Sequence, residues 1–219
     1  MIDRLKKYKS KFAKIDYYEK QRNNLRYPNE AYINSESNRN KADLVRMTHV
    51  FKDNCEELKG KKTMLDIGCN DGFFMRNFDW SFEKYVGVDM FSLEEYIHSE
   101  DIYPYTKDGK ITYITGIFEE IPLSEKFDFI FAGEIIEHVE SVKKFLSMIE
   151  KNLETNGIVC FTTPNNVGIE QPEHYRQYSK KTLKKELSKY FYVNKIEELP
   201  AINTSWPFLY AKCSKKMRK

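Results

Sequence analysis

Met64-Leu-Asp-Ile-Gly-Cys-Asn-Asp-Gly72 is the stretch that decides the fold. Thr63 to Ile67 is a short apolar run and predicts a buried strand. The run stops at Gly68, and Gly72 precedes Phe73-Phe74-Met75, which read as the start of a helix. Strand, glycine turn and helix together form the opening unit of a doubly wound α/β domain. The glycines permit a sharp turn and a close backbone approach to a ligand. Asp66 falls at the carboxyl end of the strand, at the crevice where such sheets bind ligands. A pyrophosphate loop would offer bare amides at a helix N-terminus. Here Asp66 and Asp71 flank the turn, which suits a cationic or amine-bearing ligand better.

Further along, Lys84-Tyr-Val-Gly-Val-Asp-Met90 reads as a second apolar strand ending in an acid. Asp89 is placed to bind the two ribose hydroxyls of a nucleoside. Ile111 to Thr115 predicts a third strand. Phe127-Asp-Phe-Ile-Phe-Ala-Gly-Glu134 predicts a fourth with an acid at its tip, and Asn156 to Asn165 reads as turn, fifth strand and exit loop. Tyr192 to Glu197 and Phe208 to Cys213 predict a hairpin-like end to the sheet. Ser141 and Ser179 read as N-caps of helices reaching about Leu153 and Tyr190. Ahead of the first strand, Leu5, Tyr8, Phe12 and Ile15 recur with helical spacing until Arg26-Tyr-Pro-Asn-Glu30 breaks the pattern. A second helix is predicted from about Asn38 to Leu58, stopped by Gly60. The expected architecture is a doubly wound, Rossmann-like α/β domain with a mostly parallel seven-stranded sheet. A single domain is expected over 1–219, with a helical cap at 1–60, the core at 61–213 and a basic tail at 214–219. The cap either shapes the substrate pocket or simply covers the sheet.

The net charge of +3 over 219 residues does not advertise a nucleic-acid binder. Cys55, Cys69, Cys160 and Cys213 share no metal-type spacing and read as reduced thiols in a cytoplasmic protein. The opening Met1-Ile-Asp-Arg-Leu-Lys-Lys lacks an apolar signal core, and no long apolar run follows, so no membrane partner is expected. Oligomeric state leaves no mark on the sequence.

The order and spacing of these four motifs, from Lys61 to Val193, resemble the class I S-adenosylmethionine-dependent methyltransferases. The resemblance implies that the backbone around Gly68, with Asn70 and Gly72, carries the methionine part of S-adenosyl-L-methionine. It implies that Asp66 meets the amino end and that Asp89, followed by Met90, takes the ribose hydroxyls. In the family an acid after the third strand often holds the adenine amino group. Here Gly116-Ile117-Phe118 has no acid at the second place, so adenine falls to the Ile117 or Phe118 backbone and a hydrophobic wall. Gly133 stands where the family backbone lies beside the cofactor.

Glu134-Ile-Ile-Glu137-His138-Val139 is the second chemical signal. On a helical turn Glu134, Glu137 and His138 would share one face. Two carboxylates and an imidazole form a mixed oxygen and nitrogen ligand set for a divalent ion, such as Mg, Mn, Fe or Co. His174, in the loop after the fifth strand, leaves the same sheet edge and would complete the set. The constellation is similar to metal-dependent methyltransferases of RNA terminal ribose 2′-hydroxyls and to ubiquinone-biosynthesis O-methyltransferases. His174-Tyr-Arg-Gln-Tyr-Ser also resembles small-molecule and sugar methyltransferases. Three roles stay open for this set: metal ligation, a metal-free base at His138, and structure alone.

A sugar hydroxyl is a poor nucleophile, and an ion that stabilises its alkoxide beside a proton-accepting imidazole answers that need. The expected function is O-methylation of a small carbohydrate-like or nucleotide-linked metabolite, with Glu134, His138 and His174 carrying the chemistry. The alternatives are an RNA 2′-O-methyltransferase and a non-catalytic cofactor-binding protein of the same fold. Tyr175, Tyr178 and Trp206 are among the aromatics that either line an acceptor pocket or pack in the core.

Overall fold

The computed structural model describes residues 38–70, 72–76, 81–90, 110–169, 174–201 and 207–216. The expected first helix, Asp71, Trp206 and the end of the basic tail lie outside them. Residues from Asn38 onward form one compact unit.

The seven strands are β1 (Thr63–Ile67), β2 (Lys84–Asp89), β3 (Ile111–Thr115), β4 (Phe127–Gly133), β5 (Leu153–Pro164), β6 (Phe191–Leu199) and β7 (Phe208–Lys215). Their order across the sheet is β3-β2-β1-β4-β5-β7-β6. The first five pair in parallel, and β7 runs antiparallel between β5 and β6. This is the seven-stranded, mostly parallel arrangement expected, with the hairpin-like end in place.

Alternation along each strand sends successive side chains to opposite faces. In β4, Phe127, Ile130 and Ala132 join one core cluster while Phe129 and Phe131 join the other. Burial on both faces explains why these strands read as continuous apolar runs. One face is covered by α3 (Val142–Asn152), through Phe145, Leu146 and Ile149, and by α4 (Lys180–Leu187), through Leu183 and Leu187. The other lies under α1 (Asn38–Asn54), through Val50, and the short α2 (Phe73–Arg76), through Phe74 and Met75.

Both serine caps form. The Ser141 hydroxyl accepts from Lys144 N, and Ser179 makes a reciprocal capping box with Thr182. α4 stops at Leu187 rather than Tyr190, because the chain turns through Ser188 to enter β6. α1 stops at Asn54, followed by turns to Gly60 at φ 78. Asn54 ends it by folding its amide back to Val50 O at 2.7 Å and onto the Tyr210 hydroxyl at 3.0 Å. Cys69, Cys160 and Cys213 are buried free thiols, and burial pushes Cys160 up to about 12. No described helix is long and apolar enough to cross a membrane.

The chain passes from β1 to β2 and β3 on one side, then returns to place β4 and β5 on the other. The carboxyl ends of β1 and β4 therefore flank the topological switch point, where sheets of this class bind ligands. An ideal Cβ on Gly68, after β1, would come within 2.9 Å of Ile135 Cδ1, after β4. The two tips touch.

Candidate active site

The β1 turn is built from backbone conformations. Gly68, Asn70 and Gly72 all take positive φ, at 75°, 50° and 74°. Gly68 N and Cys69 N both donate to Val88 O, at 2.8 and 3.2 Å, which folds the turn over the end of β2. Asn70 N donates to Asp89 Oδ2 at 2.9 Å, so the acid at the β2 tip anchors the turn as well as facing the crevice. A Cβ at Gly72 would sit 2.3 Å from the Tyr113 hydroxyl. A hollow here is lined by Cys69, Asn70, Gly87, Asp89, Tyr113 and Thr115. Asp66 is buried, and Met90 stands partly exposed just past Asp89. Phe118 turns its ring into the core, edge-on to Phe145 at 5.7 Å, so only its backbone is left for the adenine role expected of it. Ile117 stays half-buried at the edge.

The β4 tip is built from buried polar side chains. Residues 136–138 form a turn, closed by His138 N donating to Ile135 O at 2.9 Å. The Glu137 carboxylate is buried at 1% exposure and accepts at Oε2 from the Thr163 hydroxyl at 2.9 Å. Its Oε1 is buried, has no hydrogen-bond partner among the described residues, and lies 3.9 Å from His138 Nε2. Burial pushes the Glu137 carboxyl up to about 7, against the opposing pull of its backbone and Thr163 hydrogen bonds and the Arg46 charge. Tyr175 N donates to Glu137 O at 2.9 Å and brings in the next residue back, His174. The His138 and His174 rings meet edge-on at 4.7 Å. Asn166 Nδ2 lies 3.2 Å from His174 Nδ1. In this orientation the Asn166 amide donates and Nδ1 accepts; the opposite amide orientation would make Nδ1–H the donor and leave Nε2 its lone pair. Arg176 clamps the loop from outside, donating to Ile136 O, Val139 O and Glu140 O.

Glu137, His138 and His174 thus bring one ligand atom each within 4.8 Å of one another. Glu134 does not join them, contrary to the helical-turn expectation. It takes φ 53, which breaks the helical repeat, and its carboxylate lies 3.0 Å from Arg46 Nη1. Gly133 ends β4 beside Thr162 of β5. The predicted acceptor aromatics divide: Tyr178 is buried in the core and Tyr175 is exposed.

Sequence reading missed Arg46, Thr162, Thr163 and Asn166, all buried. Arg46 left one usable signal. It lies four residues before Val50 and eight before Asn54, so it belongs to the buried stripe of α1. The threonines and Asn166 left none, since each reads as an ordinary strand-end residue.

A family model described as a methyltransferase domain matches residues 37–199. The chain belongs to this family. This methyltransferase domain is 30% identical over 105 residues to a ubiquinone biosynthesis O-methyltransferase of Rickettsia typhi, covering 48% of the chain and 42% of the relative. It is 25% identical over 160 residues to the protein of that name from Rickettsia conorii, covering 72% of the chain and 54% of the relative. The chain thus spans about half the length of the curated relatives it matches. Among solved structures, the N-methyltransferase NodS from Bradyrhizobium japonicum WM9 superimposes with a TM-score of 0.66 at 15% identity, covering 81% of this chain and 98% of that one. At that identity the likeness bears on fold alone, which is that of the class I S-adenosylmethionine-dependent methyltransferases.

Proposed function

We propose that the protein transfers the methyl group of S-adenosyl-L-methionine to a hydroxyl of a small metabolite, assisted by a divalent metal ion. The observation that carries the metal is the buried Oε1 of Glu137. A buried carboxylate oxygen with no hydrogen-bond partner among the described residues is costly. It sits where His138 and His174 also converge. One carboxylate and two imidazoles suit a borderline divalent ion, such as Mn²⁺, Fe²⁺ or Co²⁺, and leave positions open for an acceptor. Glu137, His138 and His174 would hold the ion, which supplies charge stabilisation for a developing alkoxide.

The cofactor fits the β1 and β2 tips. The Gly68 turn approaches its ligand with bare backbone, and Asp89 faces the hollow with the hydrogen-bonding capacity that a ribose requires. Asp66, Asn70, Gly72, Met90 and Gly133 would complete the lining, with the Ile117 and Phe118 backbone toward the adenine. The cofactor supplies an electrophilic methyl group. The chain's own part is alignment, since fixing the acceptor oxygen in line with that methyl can contribute about 7–11 kcal/mol in the best intramolecular cases. His138, its side chain 31% exposed, is the group open enough to take the hydroxyl proton in the metal-free alternative; as a ligand its nitrogen lone pair would be held by the ion and the proton would leave to solvent.

The names of the curated relatives support a hydroxyl acceptor. An acceptor with two adjacent oxygens would use the open positions and fix which oxygen reacts. Carbohydrate-like, nucleotide-linked and phenolic metabolites all qualify, and the modest net charge favours them over RNA. The test is methyl transfer from labelled cofactor to a panel of nucleotide-linked sugars, vicinal phenols and short RNAs, before and after exhaustive chelation. Loss of transfer on chelation and its return with Mn²⁺, Fe²⁺ or Co²⁺ supports the reading. Full activity after chelation, with no metal by elemental analysis, leaves His138 as a metal-free base. Label on RNA alone moves the acceptor to a polymer.

A further inference from the structure

Beyond β4 the chain bends at Glu134, whose φ of 53° is rare for a residue with a side chain. Such a conformation persists only where the surroundings fix it. Here they do so from three directions. Glu134 N donates to Thr162 O at 2.9 Å. Its carboxylate lies 3.0 Å from Arg46 Nη1. The same Nη1 donates to Thr162 Oγ1 at 2.9 Å, and the guanidinium lies over the Phe208 ring at 5.5 Å. Arg46, with its side chain 5% exposed, therefore ties α1 to the tips of β4, β5 and β7 at one point.

The residues that follow this bend reach both halves of the site. Ile135 packs against the Gly68 turn. Glu137 reaches Thr163, the neighbour of Thr162. His138 closes its turn on Ile135 O. The φ of Glu134 thus sets where all three stand. We propose that Arg46 and Glu134 are positioning residues, a latch that holds the β4 tip in its left-handed bend and so aligns the cofactor turn with the Glu137, His138 and His174 cluster. Glu134 acts through its backbone conformation, and its carboxylate serves the latch rather than a metal. The activity and metal readouts of this inference rest on the proposed function, whereas its stability readout does not.

The test compares Glu134→Ala, Glu134→Gly, Arg46→Met and the double variant Arg46→Met/Glu134→Gly in the full chain. Thermal midpoint, Mn²⁺ affinity and S-adenosylhomocysteine affinity by calorimetry, and kcat are measured for each. Glycine takes positive φ without strain, so Glu134→Gly keeps the bend while removing the carboxylate. Glu134→Ala and Arg46→Met are expected to weaken Mn²⁺ binding and lower kcat by about tenfold, the scale of one strained residue. Glu134→Gly is expected to recover most of both, and adding it to Arg46→Met to restore part of that variant's loss. Equal damage from Ala and Gly overturns the latch and makes the carboxylate a ligand or reactant. Unchanged Mn²⁺ affinity in every variant overturns it as well. If the unmodified protein binds neither Mn²⁺ nor S-adenosylhomocysteine, the proposed function fails instead. The latch is then judged on midpoints alone, where Ala at or above Gly overturns it.

Discussion

The tips of β1 and β2 and the tips of β4 and β5 share one edge of one sheet, yet they are built in opposite ways. The first pair works through backbone: three residues at positive φ and amides directed at Val88 O and Asp89. The second pair works through buried side chains: Glu137, Thr162, Thr163 and Asn166, each at 2% exposure or less. A backbone site holds a constant ligand with few special residues. A side-chain site tunes protons and charge, and must satisfy every polar group it buries. On this view the β1 side is for recognition and the β4 side for chemistry, and substitutions on the two sides should fail differently.

The largest effect is expected at Glu137. Glu137→Ala should lower methyl transfer by roughly 10²–10⁴-fold, the several kcal/mol of charge stabilisation withdrawn with the ion, while leaving S-adenosylhomocysteine affinity nearly intact. Equal loss of cofactor affinity in calorimetry would erase the division between the two sides.

Next is the pH dependence of stability in chelated protein. Glu137 titrates near 7 in the fold against an ordinary value of 4.5. Between these values the folded state holds the extra proton, so stability falls as pH rises through that window. The decline attributable to this group is on the order of 3 kcal/mol. Thermal midpoints from pH 5 to 8 should therefore slope downward in the unmodified protein and much less in Glu137→Gln. Bound Mn²⁺ should flatten the slope, since it stabilises the ionised carboxylate. Identical slopes for the two proteins would show that burial does not govern this carboxyl.

On the cofactor side, Asp89→Ala should weaken S-adenosylhomocysteine binding by roughly 1.5–3 kcal/mol, the scale for hydrogen bonds to a charged group. Part of that loss would come through the Asn70 amide that Asp89 anchors. Unchanged affinity removes Asp89 from the site. The smallest effect is expected from Gly72→Ala, which forces a side chain to φ 74 against the Tyr113 hydroxyl. It should lower stability by about 1–3 kcal/mol in denaturant unfolding. Gly72→Ala combined with Tyr113→Phe should remove the 2.3 Å hydroxyl contact while leaving the ring carbons at 3.0 Å and the φ, so full recovery would place the whole effect in the hydroxyl.

The same contrast explains what could be read beforehand. The β1 turn was legible because a backbone site demands glycine, and Gly68 and Gly72 mark it in the string itself. The strands were legible because burial on both faces writes unbroken apolar runs. The Glu137, His138 and His174 set was half legible. Spacing placed Glu134 with the set by assuming a helical turn, but a single residue at φ 53 sends its carboxylate to Arg46 instead. Arg46 comes from α1, and Thr163 and Asn166 from the distant end of β5 and its exit, and no local pattern records that the fold brings them to one place.

β7 lies between β5 and β6 although it follows both in sequence, pairing Ser214 with Ile158 on one side and Tyr192 on the other. During synthesis, then, β5 and β6 emerge with no strand to join them. The long edge of β5 stays open to other chains until residues 208–215 leave the ribosome, a hazard of any unpaired strand. Phe208, under the Arg46 guanidinium, arrives in the same segment. The Arg46 corner therefore closes only once β7 has emerged, and a nascent chain lacking that segment would expose the β5 edge before the corner formed.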